Sequence, residues 1–242
     1  MPLIKIDNLS VSYPPKKHPT KVLDGLSMEF KNGKVNVILG SSGSGKTTLV
    51  KSIIGLLDID NGSIYFDDVE MNYISIKNRN IGYVDQNIRL YPHLSVFNNI
   101  AYPLTNTPAS GEEIKQRVVE AADMMGIKHL LMRKPRQISL GQAQRVAIAK
   151  AIVKKPVLYI FDEPFSNLDE QLTLSLMVDL KQIFNKLEAT VLFITHKKEE
   201  ALLLGDYLYV MDNGNIVDQG NKEDILSSSN PFTKSLLGDS NV

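Results

Sequence analysis

The sequence predicts an α/β fold with a mostly parallel sheet, because apolar segments of strand length alternate with periodic segments of helix length. Buried strands are predicted at residues 35–39, 157–161 and 191–195. The helices that accompany them are predicted at residues 47–54, 141–154 and 171–187. Near-continuous apolar strands separated by helices are typical of parallel sheets that helices cover on both faces.

An antiparallel β layer is predicted near the start of the chain. Residues 3–9 alternate between apolar and polar side chains, and residues 26–30 do the same. Asn61 and Gly62 form a predicted turn that leads into a strand at residues 63–67. We therefore expect a second sheet in addition to the parallel one.

The middle of the chain is predicted to be helical. From about residue 90 to residue 155 the apolar side chains follow helical spacing, as they do in residues 112–125. Near the end, the Asp-Asn-Gly-Asn run at residues 212–215 predicts a hairpin turn between two strands. Because no repeat or low-complexity linker interrupts the sequence, we expect a single domain over residues 1–242, with a helical subdomain inserted at about residues 90–155.

Composition and charge exclude several classes of function. The 242 residues carry 27 basic and 27 acidic side chains, so no net charge favours nucleic acid or an anionic membrane. Cysteine is absent, which excludes disulfides and thiolate metal sites. The longest apolar stretches have strand length, below the roughly 20 residues of a membrane span, and the N-terminus lacks a signal-peptide pattern. We expect a soluble protein with no nucleic acid partner and no direct membrane insertion.

A glycine-rich segment between the first predicted parallel strand and its helix carries the strongest signal. It fits the P-loop pattern, in which backbone N–H groups and the positive end of the following helix bind phosphate oxygens. The predicted nucleotide-binding residues are Gly40, Ser41, Ser42, Gly43, Ser44, Gly45, Lys46, Thr47 and Thr48. Lys46 is expected to reach the β and γ phosphates, and the Thr47 hydroxyl is expected to bind Mg²⁺. The segment predicts binding of a nucleoside triphosphate.

Two acids at the end of a second apolar strand provide the carboxylates that a P-loop protein needs. Residues 158–161 are apolar and are followed by Asp162, Glu163 and Pro164. Asp162 is suited to hold Mg²⁺, and Glu163 is suited to polarise an attacking water. Many strands also end in an acidic turn without function, so the assignment depends on the presence of the P-loop.

A second candidate anion site lies at the start of the helix predicted at residues 141–154. Ser139 precedes this helix, where its side chain and the nearby N–H groups could receive an anion. Taken alone, Ser139 is more simply explained as the helix N-cap. The domain already has one phosphate-binding site, however, so a second one indicates that Ser139 contacts a different nucleotide molecule.

In these motifs the chain resembles the ATP-binding cassette (ABC) ATPases. Residues 138–142, Ile-Ser-Leu-Gly-Gln, look like the family signature LSGGQ. The likeness implies nucleotide contacts by Ser139, Gly141 and Gln142. The other family motifs follow in order along nearly the whole chain, with an adenine-stacking aromatic at Tyr13, the Q-loop at Gln86, the D-loop ending at Asp169 and the switch histidine at His196. The resemblance implies a P-loop NTPase fold with a RecA-like, mostly parallel sheet core, an antiparallel β layer and a helical insertion subdomain.

The resemblance also implies a role for each motif residue, and each has a plainer explanation. Gln86 would contact Mg²⁺ and the attacking water, and His196 would contact the γ-phosphate. Asp169 would serve a site shared with a second copy. Alternatively, Tyr13 could be a surface aromatic, Gln86 a solvated loop residue and His196 a helix cap, while Asp169 could N-cap the next helix. Five motifs in the order of the family argue against coincidence.

Two features depart from the family pattern. Leu140 replaces the first glycine of the signature, while Ser139 and Gly141 are kept, so we expect the change to be tolerated. The loop at residues 14–20 after Tyr13 is longer than in many relatives, and its basic side chains are most simply explained as a solvated turn.

A finer resemblance points to bacterial importers of the maltose and polyamine type. It lies in residues 90–104 and 133–137. In that branch the helical subdomain forms a groove for a coupling helix of a membrane subunit. Tyr91, Pro92 and Leu94 could line this groove or could equally belong to the core. Those importers often carry a further β-rich regulatory domain, which we expect to be missing here.

The resemblance therefore implies an ATP-hydrolysing subunit of an ABC transporter, with ATP and Mg²⁺ as cofactors. The implied catalytic residues are Lys46, Gln86, Glu163 and His196, and the implied metal ligands are Thr47, Gln86 and Asp162. A homodimer, or a pair of related cassettes, is expected to form head to tail around two ATP molecules. It would drive integral membrane permease subunits through the Q-loop and the groove. The protein would be cytoplasmic, peripheral on the inner face of the cell membrane, and would power import of a small solute.

Two other classes stay open. A non-transport ABC ATPase of DNA repair or translation usually carries a long coiled-coil insertion, clamp domains or a second cassette, and the sequence shows none of these. A non-hydrolysing regulatory cassette is disfavoured because Glu163 and His196 fill both hydrolytic positions. The transported substrate is not encoded in this chain, since it meets only the membrane and binding-protein subunits.

Overall fold

The computed structural model describes residues 1–13, 20–187 and 189–238. The loop predicted at residues 14–20 falls almost wholly outside this part of the chain. The chain divides into two compact units, one formed by Met1–Ile81 with Glu188–Val242 and the other by Gly82–Leu187. The expectation of a single domain with a helical subdomain at about residues 90–155 stays a prediction.

The strands described are β1 (Ile4–Tyr13), β2 (Thr20–Glu29), β3 (Val35–Leu39), β4 (Asn61–Phe66), β5 (Val69–Glu70), β6 (Ile81–Val84), β7 (Leu158–Asp162), β8 (Thr190–Thr195), β9 (Tyr207–Asp212) and β10 (Asn215–Gly220). The α-helices described are α1 (Lys46–Ile54), α2 (Val96–Ala101), α3 (Gly111–Met124), α4 (Leu140–Ile152), α5 (Glu170–Phe184), α6 (Lys198–Leu204), α7 (Lys222–Leu226) and α8 (Pro231–Leu237). The predicted strands and helices are all present, with ends shifted by a few residues. β2 is the exception, since it begins well before the predicted residue 26.

The first unit contains the predicted antiparallel sheet, with strand order β2-β1-β4-β5. β1 pairs with β2 on one side and with β4 on the other. Along β1, Ile4 and Ile6 are at most 1% exposed, whereas Lys5 and Asp7 are exposed. The alternation in the sequence therefore corresponds to one buried face and one solvated face.

The predicted turn at Asn61 and Gly62 is wrong. Both residues belong to β4, and Asn61 pairs with Ser10 of β1. Gly62 has a φ of +89°, and a Cβ atom there would lie 2.3 Å from the carbonyl oxygen of Asn8, whose own φ is +51°. The Asn-Gly pair marks an irregularity in the ladder, where two backbones approach closely, and not a reversal of the chain.

The other strands of the first unit follow the order β10-β9-β3-β8, with β3 parallel to both β8 and β9. All five residues of β3 are buried, as the apolar run predicts. The one polar residue, Asn36, donates hydrogen bonds to the carbonyl oxygens of Lys31 (2.9 Å) and Lys34 (3.0 Å). The predicted hairpin is confirmed, since β9 and β10 are joined at Asn213 and Gly214, whose φ values are +45° and +78°.

The second unit holds the neighbouring strands β6 and β7 and the helices α2 to α5. Helices α2, α3 and α4 pack against one another, which confirms the helical character of this region. Ser110 begins α3 as its N-cap and accepts a hydrogen bond from the N–H of Glu113 at 3.2 Å. In the part of the chain that the structure describes, no helix combines the length and apolar character needed to cross a membrane.

A buried asparagine fixes the loop before α2. Asn99 is fully buried, and its Oδ1 accepts a hydrogen bond from the N–H of Tyr91 at 2.7 Å. Its Nδ2 donates to the carbonyl oxygens of Tyr91 (3.1 Å) and Ser95 (3.0 Å). Of the predicted groove residues on this loop, Pro92 is exposed, and Tyr91 and Leu94 are half-buried. None of the three is therefore a fully buried core residue.

Candidate nucleotide-binding site

The glycine-rich segment follows β3 directly and leads into α1, as predicted. α1 begins at Lys46, and Gly45 before it has a φ of +103°, a conformation that glycine adopts without strain. The Lys46 side chain is 4% exposed, and its Nζ donates hydrogen bonds to the carbonyl oxygens of Gly40 (2.9 Å) and Ser41 (2.8 Å). Two carbonyl oxygens of the loop therefore hold the Lys46 ammonium close to the start of the helix.

This arrangement suits a phosphate group. The Oγ atom of Ser44 is buried and has no hydrogen-bond partner among the described residues. A buried hydroxyl without a partner costs free energy, which a ligand can offset. The first N–H groups of α1 also lack intrahelical partners and carry the positive end of the helix. Since Ser41, Ser42, Gly43 and Thr47 are exposed, a ligand has access to the loop.

Tyr13 lies beside the first turn of α1. Its hydroxyl is 3.4 Å from the Oγ1 atom of Thr48, which is itself buried. Tyr13 is the last residue of β1 and is half-buried, so part of its side chain stays accessible. The structure therefore brings the predicted adenine-stacking residue to the phosphate-binding helix, while the stacking itself stays a prediction.

His196 lies at the same edge of its sheet as the glycine-rich loop. It directly follows Thr195, which pairs with Leu39 in the parallel ladder between β8 and β3. Leu39 in turn directly precedes Gly40. The carboxyl ends of neighbouring parallel strands are where ligands bind in α/β sheets. His196 is exposed and so lies at a position suited to contact a bound nucleotide.

A buried carboxylate holds the backbone on both sides of His196. The Oγ1 atom of Thr195 accepts a hydrogen bond from the N–H of Lys197 at 3.0 Å and donates one to Glu200 Oε2 at 2.6 Å. Glu200 lies in α6 and is 3% exposed. Burial raises the pKa of Glu200, while the Thr195 hydroxyl and the Lys197 charge oppose this rise. Sequence reasoning missed Glu200, because an acid near a helix start is normally exposed.

In the second unit, Asp162 ends β7 and Glu163 follows it. Asp162 is 3% exposed, and the hydroxyl of Tyr83 on the neighbouring β6 approaches its Oδ2 at 3.5 Å. Burial, and next the Asp162 charge, raise the pKa of Tyr83 above its usual range, so the phenol stays protonated and can donate. Glu163 has a φ of +45°, which is uncommon for a residue with a side chain. Such backbone strain is concentrated at functional sites.

Ser139 is the N-cap of α4, as its simpler explanation predicts. Its Oγ accepts a hydrogen bond from the N–H of Gln142 at 3.3 Å, and Gln142 Oε1 accepts one from the N–H of Ser139 at 3.0 Å. Gly141 is buried, and a Cβ atom there would lie 2.5 Å from Leu172 Cδ2, so packing against α5 accounts for this glycine. Ser139 and Leu140 are both exposed. Nucleotide contact by the signature residues stays a prediction.

The Q-loop and the D-loop are joined by a hydrogen bond. Gln86 is exposed, and its carbonyl oxygen accepts a hydrogen bond from Asn167 Nδ2 at 3.1 Å. Asp169 is the N-cap of α5, since its Oδ1 accepts a hydrogen bond from the N–H of Leu172 at 3.0 Å. Sequence reasoning predicted this cap and included Asn167 in the D-loop, but it did not predict the hydrogen bond to Gln86, because the partner of an exposed loop asparagine cannot be inferred from a local pattern.

The predicted site residues therefore fall into two groups. The first unit brings together Tyr13, residues 40–48 and His196. The second unit holds Gln86, Ser139, Gly141, Gln142, Asp162, Glu163 and Asp169. Their assembly into one site stays a prediction.

A family model described as ABC transporter matches residues 23–166. The chain belongs to this family. The matched residues include the P-loop, the signature segment and the two acids Asp162 and Glu163, so the resemblance inferred from the motifs is confirmed. ATP hydrolysis is the activity of the cassettes in this family.

One curated relative of the cassette is the sn-glycerol-3-phosphate import ATP-binding protein UgpC of Psychromonas ingrahamii. The two are 37% identical over 239 residues, which are 98% of the cassette and 63% of the relative. The cassette thus spans less than two thirds of that protein's length.

Solved structures of ABC cassettes are similar to this one. The MJ0796 cassette, in a dimeric post-hydrolysis state bound to ADP and Pi, has a TM-score of 0.80 and 29% identity, covering 90% of this chain and 98% of that chain. The cbiO1 protein of Clostridium perfringens, part of the ABC transporter complex cbiONQ, has a TM-score of 0.83 and 32% identity, covering 93% of this chain and 90% of that chain. The predicted fold class, a P-loop NTPase with parallel strands, an antiparallel sheet and helices, is confirmed.

The second unit of the cassette carries a tyrosine–lysine cluster formed by Tyr91, Tyr102 and Lys150. The two ring centroids are 4.4 Å apart, and Lys150 Nζ lies 4.5 Å from the Tyr91 centroid. Lys150 also donates a hydrogen bond to the carbonyl oxygen of Arg89 at 3.3 Å, and burial lowers its pKa. Tyr102 is 46% exposed, so the cluster reaches the surface. Of the three residues, sequence reasoning proposed only Tyr91 for the groove. The contact with Lys150 could not be predicted, because Lys150 comes from α4, far along the chain.

Proposed function

We propose that the cassette is the ATP-binding and ATP-hydrolysing subunit of an ABC transporter. The observation that carries this proposal is the Lys46 ammonium, held by the carbonyl oxygens of Gly40 and Ser41 at the start of α1. The buried Ser44 hydroxyl lies in the same loop and lacks a partner among the described residues. A triphosphate would accept hydrogen bonds from the donors that this loop presents.

The residues proposed to hold Mg²⁺ fit the ion. Mg²⁺ prefers oxygen ligands and usually takes only one or two carboxylates from the protein, with phosphates and waters completing its shell. Thr47 offers an exposed hydroxyl in the first turn of α1, and Asp162 offers a carboxylate at the end of β7. Gln86 would provide a further oxygen. The ion, when bound, would neutralise charge that develops on the phosphates.

Hydrolysis is proposed to depend on Glu163, Gln86 and His196. Glu163 would accept a proton from the attacking water as general base, and Gln86 would orient that water. His196 would contact the γ-phosphate from its exposed position after β8. The Thr195 hydroxyl accepts a hydrogen bond from the N–H of Lys197 and donates one to Glu200, which limits the motion of the backbone around His196 and so supports this role.

Two cassettes, identical or paired, would close head to tail around two ATP molecules. Ser139 and Asp169 are exposed at the starts of α4 and α5, where helix N-termini attract anions. Both residues would serve the nucleotide bound by the other copy. The dimeric ADP and Pi state of MJ0796 supports such pairing. Closure would complete both sites, and hydrolysis would let them open.

The dimer would drive integral membrane permease subunits while remaining peripheral on the cytoplasmic face of the membrane. The likeness to cbiO1, part of a transporter complex, supports membrane partners, and the likeness to UgpC supports import of a small solute. The tyrosine–lysine cluster supports the position of the groove, because it places the exposed ring of Tyr102 beside the half-buried Tyr91 and Lys150, next to Pro92 in the sequence. Aromatic side chains are enriched at the centres of interfaces.

Lys46→Ala is expected to lower ATP hydrolysis by at least about a hundredfold, because the loop loses the ammonium that stabilises phosphate charge. Magnesium-dependent phosphate release by the purified cassette measures the effect. Lys51→Ala, in the last turn of the same helix, is the matched control and should keep wild-type activity. Wild-type turnover by Lys46→Ala would contradict the assigned role. A wild-type cassette that releases no phosphate, alone or with permease subunits, would contradict the proposed function.

Tyr102→Ala is expected to reduce co-purification with co-expressed permease subunits by at least about tenfold, because aromatic anchors dominate binding energy at interfaces. Affinity purification from solubilised membranes, with the permease quantified by mass spectrometry, provides the measurement. Tyr73→Ala removes a tyrosine that is 87% exposed in the first unit and should leave recovery unchanged. Equal recovery with both variants would place the interface elsewhere.

A further inference from the structure

A buried arginine contacts the end of the phosphate-binding helix opposite to the phosphate. Arg79 is 5% exposed and follows the 3₁₀ turn Ile76–Asn78. Its Nη1 donates hydrogen bonds to the carbonyl oxygens of Ser52 (3.1 Å) and Ile53 (2.6 Å). Its Nε donates to the carbonyl oxygen of Ile74 at 3.0 Å. The guanidinium thus joins the last turn of α1 to the segment that precedes Arg79.

The contacts to α1 match what a helix end requires. The last four carbonyl groups of a helix have no intrahelical partner and carry the negative end of its dipole. Ser52 and Ile53 belong to this last turn, where the carbonyl oxygen of Ser52 also accepts a hydrogen bond from the N–H of Gly55 at 3.1 Å. Arg79 donates to both carbonyl oxygens and adds a positive charge. Within the described ranges, Arg79 forms no ion pair with a carboxylate. The partial negative charge at the carbonyl end of α1 therefore takes the place of a carboxylate as the partner of the buried Arg79 guanidinium.

The contacts of Arg79 oppose any displacement of the last turn of α1. Burial lowers the pKa of Arg79, yet a guanidinium stays protonated at neutral pH. A buried charge is tolerated only while its hydrogen bonds are made, so any movement of the last turn away from Arg79 is unfavourable. Gly55 leaves the space that the guanidinium occupies, because a Cβ atom at this position would lie 2.7 Å from the guanidinium carbon of Arg79.

The other end of the same helix carries the phosphate-binding groups. α1 has nine residues, so about 13 Å separates its ends, and a helix this short moves as one body. Binding and catalysis are sensitive to displacements of about 1 Å. We propose that Arg79 is a positioning residue for nucleotide binding, whose guanidinium fixes the last turn of α1 and thereby the end that carries Lys46 and Thr47. This inference rests on the proposed function of the glycine-rich loop.

Arg79→Met tests the inference, because it keeps much of the side-chain volume and removes the donors. We expect the Kd for ATP and the Kd for ADP to rise by about tenfold, and kcat at saturating ATP to fall as well, because the displaced helix end also carries Lys46. Both nucleotides should respond alike, since both place phosphates in the loop. Arg79→Lys retains a cation without the planar fork and should give an intermediate rise of about threefold. Competition against a fluorescent ATP analogue gives Kd, and steady-state kinetics gives kcat and KM.

Tyr209→Phe is the matched control for a loss of stability alone. The hydroxyl of the fully buried Tyr209 donates a hydrogen bond to the carbonyl oxygen of Glu29 in the same unit. This variant should lower Tm to a similar extent and leave Kd unchanged. A Kd for Arg79→Met within about twofold of wild type, or an equal rise in Tyr209→Phe, would overturn the inference.

A second variant keeps the test decisive where Arg79→Met fails to fold. Gly55→Ala displaces the same guanidinium without deleting its charge, and the strain of a side chain at a φ of +89° acts on the same end of α1, so the variant should raise Kd in the same way. Unchanged nucleotide affinity in Gly55→Ala would overturn the inference. Wild-type cassette that binds no ATP would overturn the proposed function itself, whereas wild-type binding with unaltered binding by the Arg79 variants would overturn this inference alone.

Discussion

Glu163→Gln is expected to bind ATP with wild-type affinity and to hydrolyse it at least about a hundredfold more slowly, the size of effect associated with loss of a general base. The amide cannot accept the proton of the attacking water, whereas the phosphate-binding residues around Lys46 are untouched. Because the closed dimer is proposed to open only after hydrolysis, the variant should accumulate as an ATP-bound dimer. Nucleotide titration, phosphate release and light scattering on a sizing column measure the three effects.

Glu170→Gln is the matched control for this prediction. Glu170 is exposed in the first turn of α5 and undergoes the same chemical change seven residues later in the chain. It should hydrolyse ATP at the wild-type rate and should not accumulate as a dimer. Wild-type turnover by Glu163→Gln would show that another group activates the water, and Gln86 and His196 would then be the residues to examine.

The parts of the fold and of the candidate site that could be predicted from the sequence are those set by short contiguous segments. The P-loop lies between a strand and a helix as expected, and Asp162 and Glu163 lie at the end of a buried strand. The hairpin at Asn213 and Gly214 is correct for the same reason, because adjacent residues that adopt positive φ suffice to reverse the chain. These local signals are independent of the rest of the structure.

The structure could not be predicted from the sequence where it depends on contacts with residues that are distant along the chain. The same Asn-Gly signal failed at Gly62, because the close approach of Asn8, more than 50 residues earlier in the sequence, produces an irregular ladder there instead of a turn. Arg79 and Glu200 belong to residue types that are normally exposed. Their burial becomes visible only once the carbonyl groups of α1 and the hydroxyl of Thr195 are placed beside them.

Ser139→Arg is expected to lower ATP hydrolysis by at least about a hundredfold while leaving the affinity of the monomer for ATP within about twofold. The reason is that Ser139 is proposed to serve the nucleotide of the other copy, and a long cationic side chain at the exposed start of α4 would block this contact in the one site that the side chain faces. Ser110→Arg is the matched control, since Ser110 caps α3 through the same kind of bond to Glu113. Equal loss of monomer binding in Ser139→Arg would contradict the proposal.

Mixing two inactive variants separates a site shared between copies from a site within one copy. A head-to-tail dimer of one Glu163→Gln chain and one Ser139→Arg chain contains one site with both defects and one site with neither. Random pairing makes half of the dimers mixed, so activity should recover to about a quarter of wild type when the variants are combined before ATP is added. If Ser139 instead acted on the nucleotide of its own chain, every site in the mixture would carry a defect, and no activity would return.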